Sequence, residues 1–348
     1  MNRTLYSIRF FGAGKFISMT TEHNNRFPLL VGDVGGTNAR FGLLQEEGEQ
    51  PALVKVYPCA DFAGIAEALE SYLSGISGQR PKRAAIAVAT AVTGDQVQMT
   101  NHVWQFSIEA TRRILGLEQL MVINDFTALA MALPHLKANE VRKTGGGEAV
   151  SSAPIALLGA GTGLGVSGLI RGGGRWIPLQ GEGGHVTFSP VTGQEIEILR
   201  FLRKRYEHVS AERLLSGPGL VNLYQAHAAL EGVQPFPCSP ADISSRGQNG
   251  TCGICAAALE SFCAILGTVA GNLVLTLGAR GGVYIGGGIV PRLGDYFADS
   301  PFRKRFEQKG RFSGYLAAVP SFVIMAKYPA LIGAASFLLQ QDGVAEEK

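Results

Sequence analysis

The chain contains one short device twice. LLVGDVGGTNARFGLL, residues 29–44, is an apolar run, a glycine-rich turn and a second apolar run, and APIALLGAGTGLGVSGLI, residues 153–170, has the same shape. Glycine-rich loops of the Rossmann or Walker kind open a helix whose N-terminus receives the phosphates. Here each loop runs into another apolar strand, so each joins a hairpin. A hairpin turn with glycines presents backbone N–H groups to an anion from one side. Two such turns predict two halves built on one plan and closing on one polyphosphate.

The pattern between the turns agrees. LLVGD, FGLL and LVKVYP read as three strands, FAGIAEALESYLSG as a helix ended by Gly75, AAIAVAT as a strand, SIEATRRILG as a helix with Ser107 as its N-cap, LMVIND as a strand and FTALAMALP as a helix. After the second turn come RWIPLQ as a strand, a helical region from EIEILRFLRKRYE to SGPGLVNLYQAHAAL, the apolar stretch 261–279, the strand GGVYIGGG and a C-terminal helix in LIGAASFLLQ. At 348 residues the chain exceeds the roughly 250 that one core holds. The expected fold is α/β: two ribonuclease-H-like domains with a cleft between them, as in the actin-like ATPase fold of sugar kinases, actin and chaperone ATPases. Residues 28–135 with 326–343 make the smaller domain and 136–325 the larger. Residues 1–27 form an N-terminal extension, with translation expected to begin at Met19.

Charge and composition narrow the partners. Lys plus Arg exceeds Asp plus Glu only as 31 to 28, too small an imbalance to imply nucleic acid as the main partner, and none is expected. SFCAILGTVAGNLVLTLGA, 261–279, is free of charge over a spanning length. Asn272, Thr268, Thr276 and the Gly267/Gly271 pair instead predict a soluble helix buried on all sides, and no membrane partner. Five cysteines suit a reducing cytoplasm, and TCGIC lacks the second pair a zinc site wants. The basic runs RFLRKR and FRKRFEQKGR read as solvated helix faces.

Chemistry gathers at few places. Asp33 ends a strand, where its carboxylate can hold Mg²⁺ or its waters while Gly35, Gly36 and Thr37 offer donors to phosphate; a plain hairpin with Asp33 as a turn residue is the other reading. Thr162 would play the corresponding part in the second turn. Asn124 and Asp125 stand where a strand gives way to a helix: Asp125 can be the helix cap, or part of a site at the carboxyl ends of the strands. In GEGGH the two glycines deny a helix, so Glu182 and His185 share a loop. A carboxylate beside an imidazole can match two adjacent sugar hydroxyls; a satisfied loop histidine beside a surface glutamate is the alternative. Glu212 reads by itself as a carboxylate at a helix start.

GDVGGTNAR, MTNHVW, INDFTALAMALP, GAGTGLGV, GEGGHVTFSP, SAERLLSGPGLVNLY and GGVYIGGGIVPR, in that order, resemble the bacterial glucokinase family of the enterobacterial type, from about Leu29 to about Gln340. The resemblance implies transfer of the γ-phosphate of ATP to the 6-hydroxyl of glucose. It makes Asp125 the general base, Asn124 the partner of a neighbouring hydroxyl, and Glu182, His185 and Glu212 sugar contacts. Gly32, Asp33, Val34, Gly35, Gly36 and Thr37 with Gly161, Thr162 and Gly163 would hold the nucleotide, Gly287 and Gly288 would form an adenosine shelf, and Asp33 would serve Mg²⁺. A cytoplasmic homodimer at the entry to glycolysis is expected. One departure is Ala91 in ATAVTGD, where relatives commonly carry Pro. A kinase of another hexose or of an N-acetylhexosamine would keep every phosphate feature. A non-catalytic sugar sensor would need a DNA-binding helix pair, for which the N-terminal piece is too short, and the Glu182/His185 loop argues against a chaperone-type ATPase.

Overall fold

The structure, a computed structural model, describes residues 26–100 and 102–345, so the expectations for the N-terminal extension lie almost wholly outside it. In chain order the first half comprises β1 (Leu29–Val34), β2 (Asn38–Leu44), β3 (Ala52–Pro58), α1 (Ile65–Ser74), β4 (Arg83–Val88), β5 (Gln96–Gln98), β6 (Gln105–Ser107), α2 (Ile108–Ile114), β7 (Gln119–Asn124) and α3 (Asp125–Ala132). There follow β8 (Val141–Gly145), β9 (Ile155–Ala160), β10 (Leu164–Gly172), β11 (Arg175–Gln180), α4 (Gly193–Arg203), α5 (Gly217–Leu230), α6 (Pro240–Gln248) and α7 (Gly253–Leu277). The chain closes with β12 (Val283–Gly286), α8 (Val290–Leu293), α9 (Asp295–Asp299), α10 (Phe302–Glu307), α11 (Ser313–Ala317), β13 (Ser321–Ile324) and α12 (Pro329–Ala345).

The first sheet has the order β3-β2-β1-β4-β7, and the second repeats it as β11-β10-β9-β12-β13 with β8 added at the edge. In each, the first hairpin is antiparallel and the later strands run parallel to the first. β1 is apolar up to Asp33 because both of its faces are covered. Leu30 and Val34 pack with Ile65, Leu69 and Tyr72 of α1, while Leu29 and Val31 pack with Leu331, Ala334 and Leu338 of α12. Those faces alternate with the period of two that a strand imposes. The C-terminal helix thus leaves the second sheet and returns to cover the first.

Ser107 caps α2 as expected, accepting Ala110 N–H at 3.0 Å. The 261–279 helix is part of α7, which starts at Gly253, where Cys252 Sγ accepts Cys255 N–H at 3.3 Å. Its glycines serve close packing: a Cβ at Gly267 would stand 2.2 Å from Phe302 O and one at Gly271 2.7 Å from Phe306 O, so α10 rests on the bare helix backbone. Burial on all sides holds only as far as Gly271, since Asn272 and Thr276 are exposed. The run FRKRFEQKGR also departs from expectation. Arg305 is buried, paired to buried Glu195 at 2.8 Å and bonded to Thr268 Oγ1 at 2.9 Å. Arg303 donates to the carbonyls of Leu316, Ala317 and Val319. These cations fasten α10 and α11 to the core, where charge spacing alone suggested a wet face. RFLRKR does carry its basic residues 203–205 to the surface.

Candidate active site in the cleft between the sheets

Register sets the site. Val34 of β1, Val88 of β4 and Asn124 of β7 are partners across the first sheet, so the turn after β1, the loop after β4 and the start of α3 share one edge. In the second sheet Gly159 of β9 pairs with Gly286 of β12, which puts the 161–163 turn beside Gly287. The two edges face a cavity of about 620 Å³. One wall has Ala89, Thr90, Ala91, Thr100, Asn124, Asp125 and Phe126; the other has Gly159, Gly161–Val166, Gly181, Glu182, His185, Glu212 and Gly287. Gly32, Asp33, Val34, Gly35, Gly36, Thr37 and Gly288 are not part of this lining.

The two turns close alike. Gly35 N–H bonds Asn38 O at 3.0 Å and Gly161 N–H bonds Gly163 O at 2.8 Å. Those two amides are spent on the turns, which leaves the central residues, Gly36 with Thr37 and Thr162 with Gly163, as the ones that could offer donors to an anion. Gly32 and Val34 serve the sheet: a Cβ at Gly32 would meet Ile86 at 2.7 Å, and Val34 O accepts Ala89 N–H at 3.0 Å. Gly287 is required by the protein itself. Its φ is +79°, and a Cβ would stand 2.3 Å from Ala160 O. Gly288 has open space around it and remains a place where a flat ring could approach.

Asn124, and not Asp125, caps α3: its Oδ1 accepts the N–H groups of Phe126 and Thr127 at 2.9 and 3.2 Å. Its Nδ2 donates to Thr90 O at 3.2 Å and to Asp125 Oδ1 at 3.1 Å. Asp125 is thereby the first helical residue, with Oδ1 also held by Phe126 N–H at 2.9 Å. Its Oδ2 accepts from no other residue among the described ones. Glu182 and His185 likewise have exposed side chains with no hydrogen-bond partner among the described residues, which leaves both free for a ligand. Glu212 Oε2 accepts Leu164 N–H at 2.8 Å. Residues that motif reading passed over also stand here: Thr90 and Thr100, whose hydroxyls meet at 2.9 Å, and Phe126, which packs onto Gly165. Thr90 follows β4 as Asp125 follows β7, so the rule placing sites at strand ends could have found it.

Arg40, opposite Asp33 in the β1–β2 register, donates to its Oδ2 at 3.0 Å. Burial raises the Asp33 carboxyl above its usual range and Arg40 partly offsets this. Asp125 is pushed up to about 6, first by burial and next by the charge of Asp33, against the bonds from Phe126 and Asn124. Arg40 supplies one positive charge to two carboxylates, which leaves the pair one short. That deficit, with one carboxylate beside a phosphate turn, fits Mg²⁺, which takes a carboxylate or two and otherwise phosphate and water.

The raised Asp125 has a consequence for stability. Its folded value of about 6 lies above the ordinary 3.8. The ionised form is therefore disfavoured on folding, at a cost that grows as pH rises from about 4 through 6 and is complete above. At about 1.4 kcal/mol for each pH unit between the two values, Asp125→Asn is expected to stabilise the ligand-free protein by about 3 kcal/mol at pH 8 and by almost nothing near pH 4. Urea unfolding of both proteins across that range measures it; a difference that does not vary with pH contradicts the electrostatic cause.

Comparison with known proteins covers the same residues. The family model for glucokinase matches residues 30–341. The chain is 53% identical over 323 residues to the glucokinase of Aromatoleum aromaticum, covering 92% of this chain and 97% of that one. It is 51% identical to the glucokinase of Chromobacterium violaceum, with 92% of each covered. Among solved structures, glucokinase from an Antarctic psychrotroph superposes with a TM-score of 0.83 at 40% identity, over 90% of this chain and 99% of that one. The matched span 30–341 contains both hairpin turns, the Asn124–Asp125 junction and the Glu182–His185 loop, and the chain belongs to the glucokinase family.

Proposed function

We propose that this chain is an ATP-dependent glucokinase in which Asp125 accepts the proton of the glucose 6-hydroxyl as that oxygen attacks the γ-phosphate. The observation that carries the assignment is the state of the Asp125 carboxylate at the cavity: Oδ1 is fixed by two donors, while Oδ2 accepts from no other residue among the described ones. Fixing one oxygen sets the direction of the other, which is what proton transfer at hydrogen-bond distance demands. Its raised pKa brings the base closer to the operating pH.

The remaining roles follow from what each wall offers. Glu182, His185 and Glu212 take sugar hydroxyls, and Asn124 can exchange its Thr90 bond for another. The central residues of the two turns take the phosphates, with Gly288 under the adenine. Mg²⁺ would be held through Asp33 or its waters, where it would neutralise charge on the β- and γ-phosphates. Residues 28–135 with 326–343 and residues 136–325 form the two moving bodies, and their closure expels water that would otherwise accept the phosphoryl group. The unpaired state of the five cysteines suits the cytoplasm, where glucose 6-phosphate enters glycolysis.

A panel of hexoses and N-acetylhexosamines, each assayed with ATP, ADP and polyphosphate and followed by detection of the phosphorylated sugar, tests the whole reading. Glucose with ATP is the expected best pair; preference for an N-acetylhexosamine would reassign the pocket. Within the pocket, Glu182→Ala removes a charged hydrogen bond of about 1.5–3 kcal/mol. KM for glucose is expected to rise roughly 10- to 150-fold with KM for ATP within about twofold, and an unchanged glucose KM would remove Glu182 from the site.

A further inference from the structure

Glu212 touches both substrate regions. Its Oε2 accepts the N–H of Leu164, the residue that ends the second phosphate turn, at 2.8 Å. Gly163 lies so near that a Cβ there would stand 2.5 Å from the same oxygen. Oε1 has no protein partner among the described residues, and the side chain lines the wall that carries Glu182 and His185.

The backbone beneath it is fixed at several points. Ser216 Oγ donates to Glu212 O at 2.8 Å, and Asn222 Nδ2 donates to Arg213 O at 2.9 Å. Toward the sugar loop, Phe188 N–H bonds Val209 O and Ala211 N–H bonds Val186 O, both at 2.9 Å. Toward the phosphate turn, Gly217 N–H bonds Gly161 O at 2.8 Å. The nine residues 209–217 therefore span the distance from the sugar loop to the phosphate turn as an anchored piece that carries the Glu212 carboxylate.

We propose that Glu212 couples the two substrates. A sugar hydroxyl donating to Oε1 selects the carboxylate orientation in which Oε2 holds Leu164 N–H, and so sets the 161–163 turn before the nucleotide arrives. This rests on the reading of Glu212 as a sugar contact. A carboxylate without sugar divides its time between Leu164 and water; with sugar it does not, so the nucleotide meets a turn already in its receiving form. Coupling of this kind is reciprocal, since each ligand must raise the affinity of the other by one and the same factor.

The test measures that factor by calorimetry, titrating Mg²⁺ with the non-hydrolysable ATP analogue AMPPNP into the enzyme with and without glucose at saturation for each variant. The wild-type protein is expected to bind the analogue roughly tenfold more tightly with glucose, within the range usual for coupled sites. Glu212→Gln, whose amide cannot accept on both sides, is expected to bring the factor within about twofold of unity and to weaken glucose itself. Gly163→Ala is the second variant: its methyl displaces the carboxylate while leaving it chemically whole. It should abolish the coupling too, and should have no further effect on the factor once Glu212 is Ala. A wild-type factor of one, or a factor that survives in either single variant, overturns the proposal. If Glu212→Gln lowers glucose affinity and leaves the factor intact, the sugar contact stands and the coupling falls. Unchanged glucose affinity removes both.

Discussion

Asp125→Asn is expected to lower kcat by a factor of roughly 10² to 10⁴ while the protein still binds glucose and nucleotide, because general-base help is typically of that size. The substitution is close to isosteric. Asn can present its Oδ1 to Phe126 N–H and Asn124 Nδ2, the two donors that fix the carboxylate now, so the start of α3 has no reason to move. What disappears is a basic atom at the position of Oδ2. A wild-type pH profile gives a second, independent reading. In kcat/KM for glucose, which reports the free enzyme, activity should fall with unit slope below about pH 6, the value to which burial and Asp33 raise the carboxyl. The variant's residual rate should lose that limb. Turnover within a few fold of wild type by pure Asp125→Asn protein would show that the proton leaves by another route.

How far the sequence reveals this site depends on the range of the interaction involved. The strands β1, β2, β9 and β10 are legible because hydrophobic alternation is local and the glycine turns between them are contiguous. β8 and β13 escape pattern reading. Each is short, and β8 is placed by pairing with residues nearly 180 positions downstream. The same holds for the cap of α3. Asn124 and Asp125 are both good caps by propensity, and which of them holds Phe126 and Thr127 is decided by Thr90, whose carbonyl takes the Asn124 amide. FRKRFEQKGR reads as surface because charge spacing says nothing of Glu195, 110 residues before Arg305, which neutralises that arginine in the core. The glycines divide in the same way. As motif members Gly32 and Gly287 read as ligand-binding, yet their neighbours are Ile86 and Ala160 O respectively. A motif records that a side chain is forbidden; only the fold shows what forbids it.

Gly165 is the strongest instance, and it links the two halves directly. A Cβ built there would stand 2.0 Å from Cε2 of Phe126, 2.1 Å from Cδ2 and 2.3 Å from Cζ, so Gly165→Ala cannot be accommodated unless the ring leaves. Phe126 comes from the first half, immediately after Asp125, and its N–H is one of the two donors on Asp125 Oδ1. The ring packs with Leu129, Leu157 and Leu169, a cluster that joins α3 to β9 and β10. Two displacements are open to it. Turning into the cavity it now lines places apolar atoms in the glucose space; moving with its backbone drags Asp125 away from the hydroxyl, and misplacement by about 1 Å can cost some 10²-fold. Both lower kcat/KM for glucose, by an expected factor of about 10², with overpacking adding about 1–3 kcal/mol of destabilisation in urea. The two routes part in the kinetics: obstruction raises KM, while a shifted base lowers kcat. In a chain already carrying Phe126→Ala the ring is gone, so adding Gly165→Ala should change neither stability nor kcat/KM further, the non-additivity expected of residues in contact. Full activity in Gly165→Ala alone, or the same loss in both backgrounds, would mean that the Phe126 ring does not hold the base of one half against the hairpin of the other.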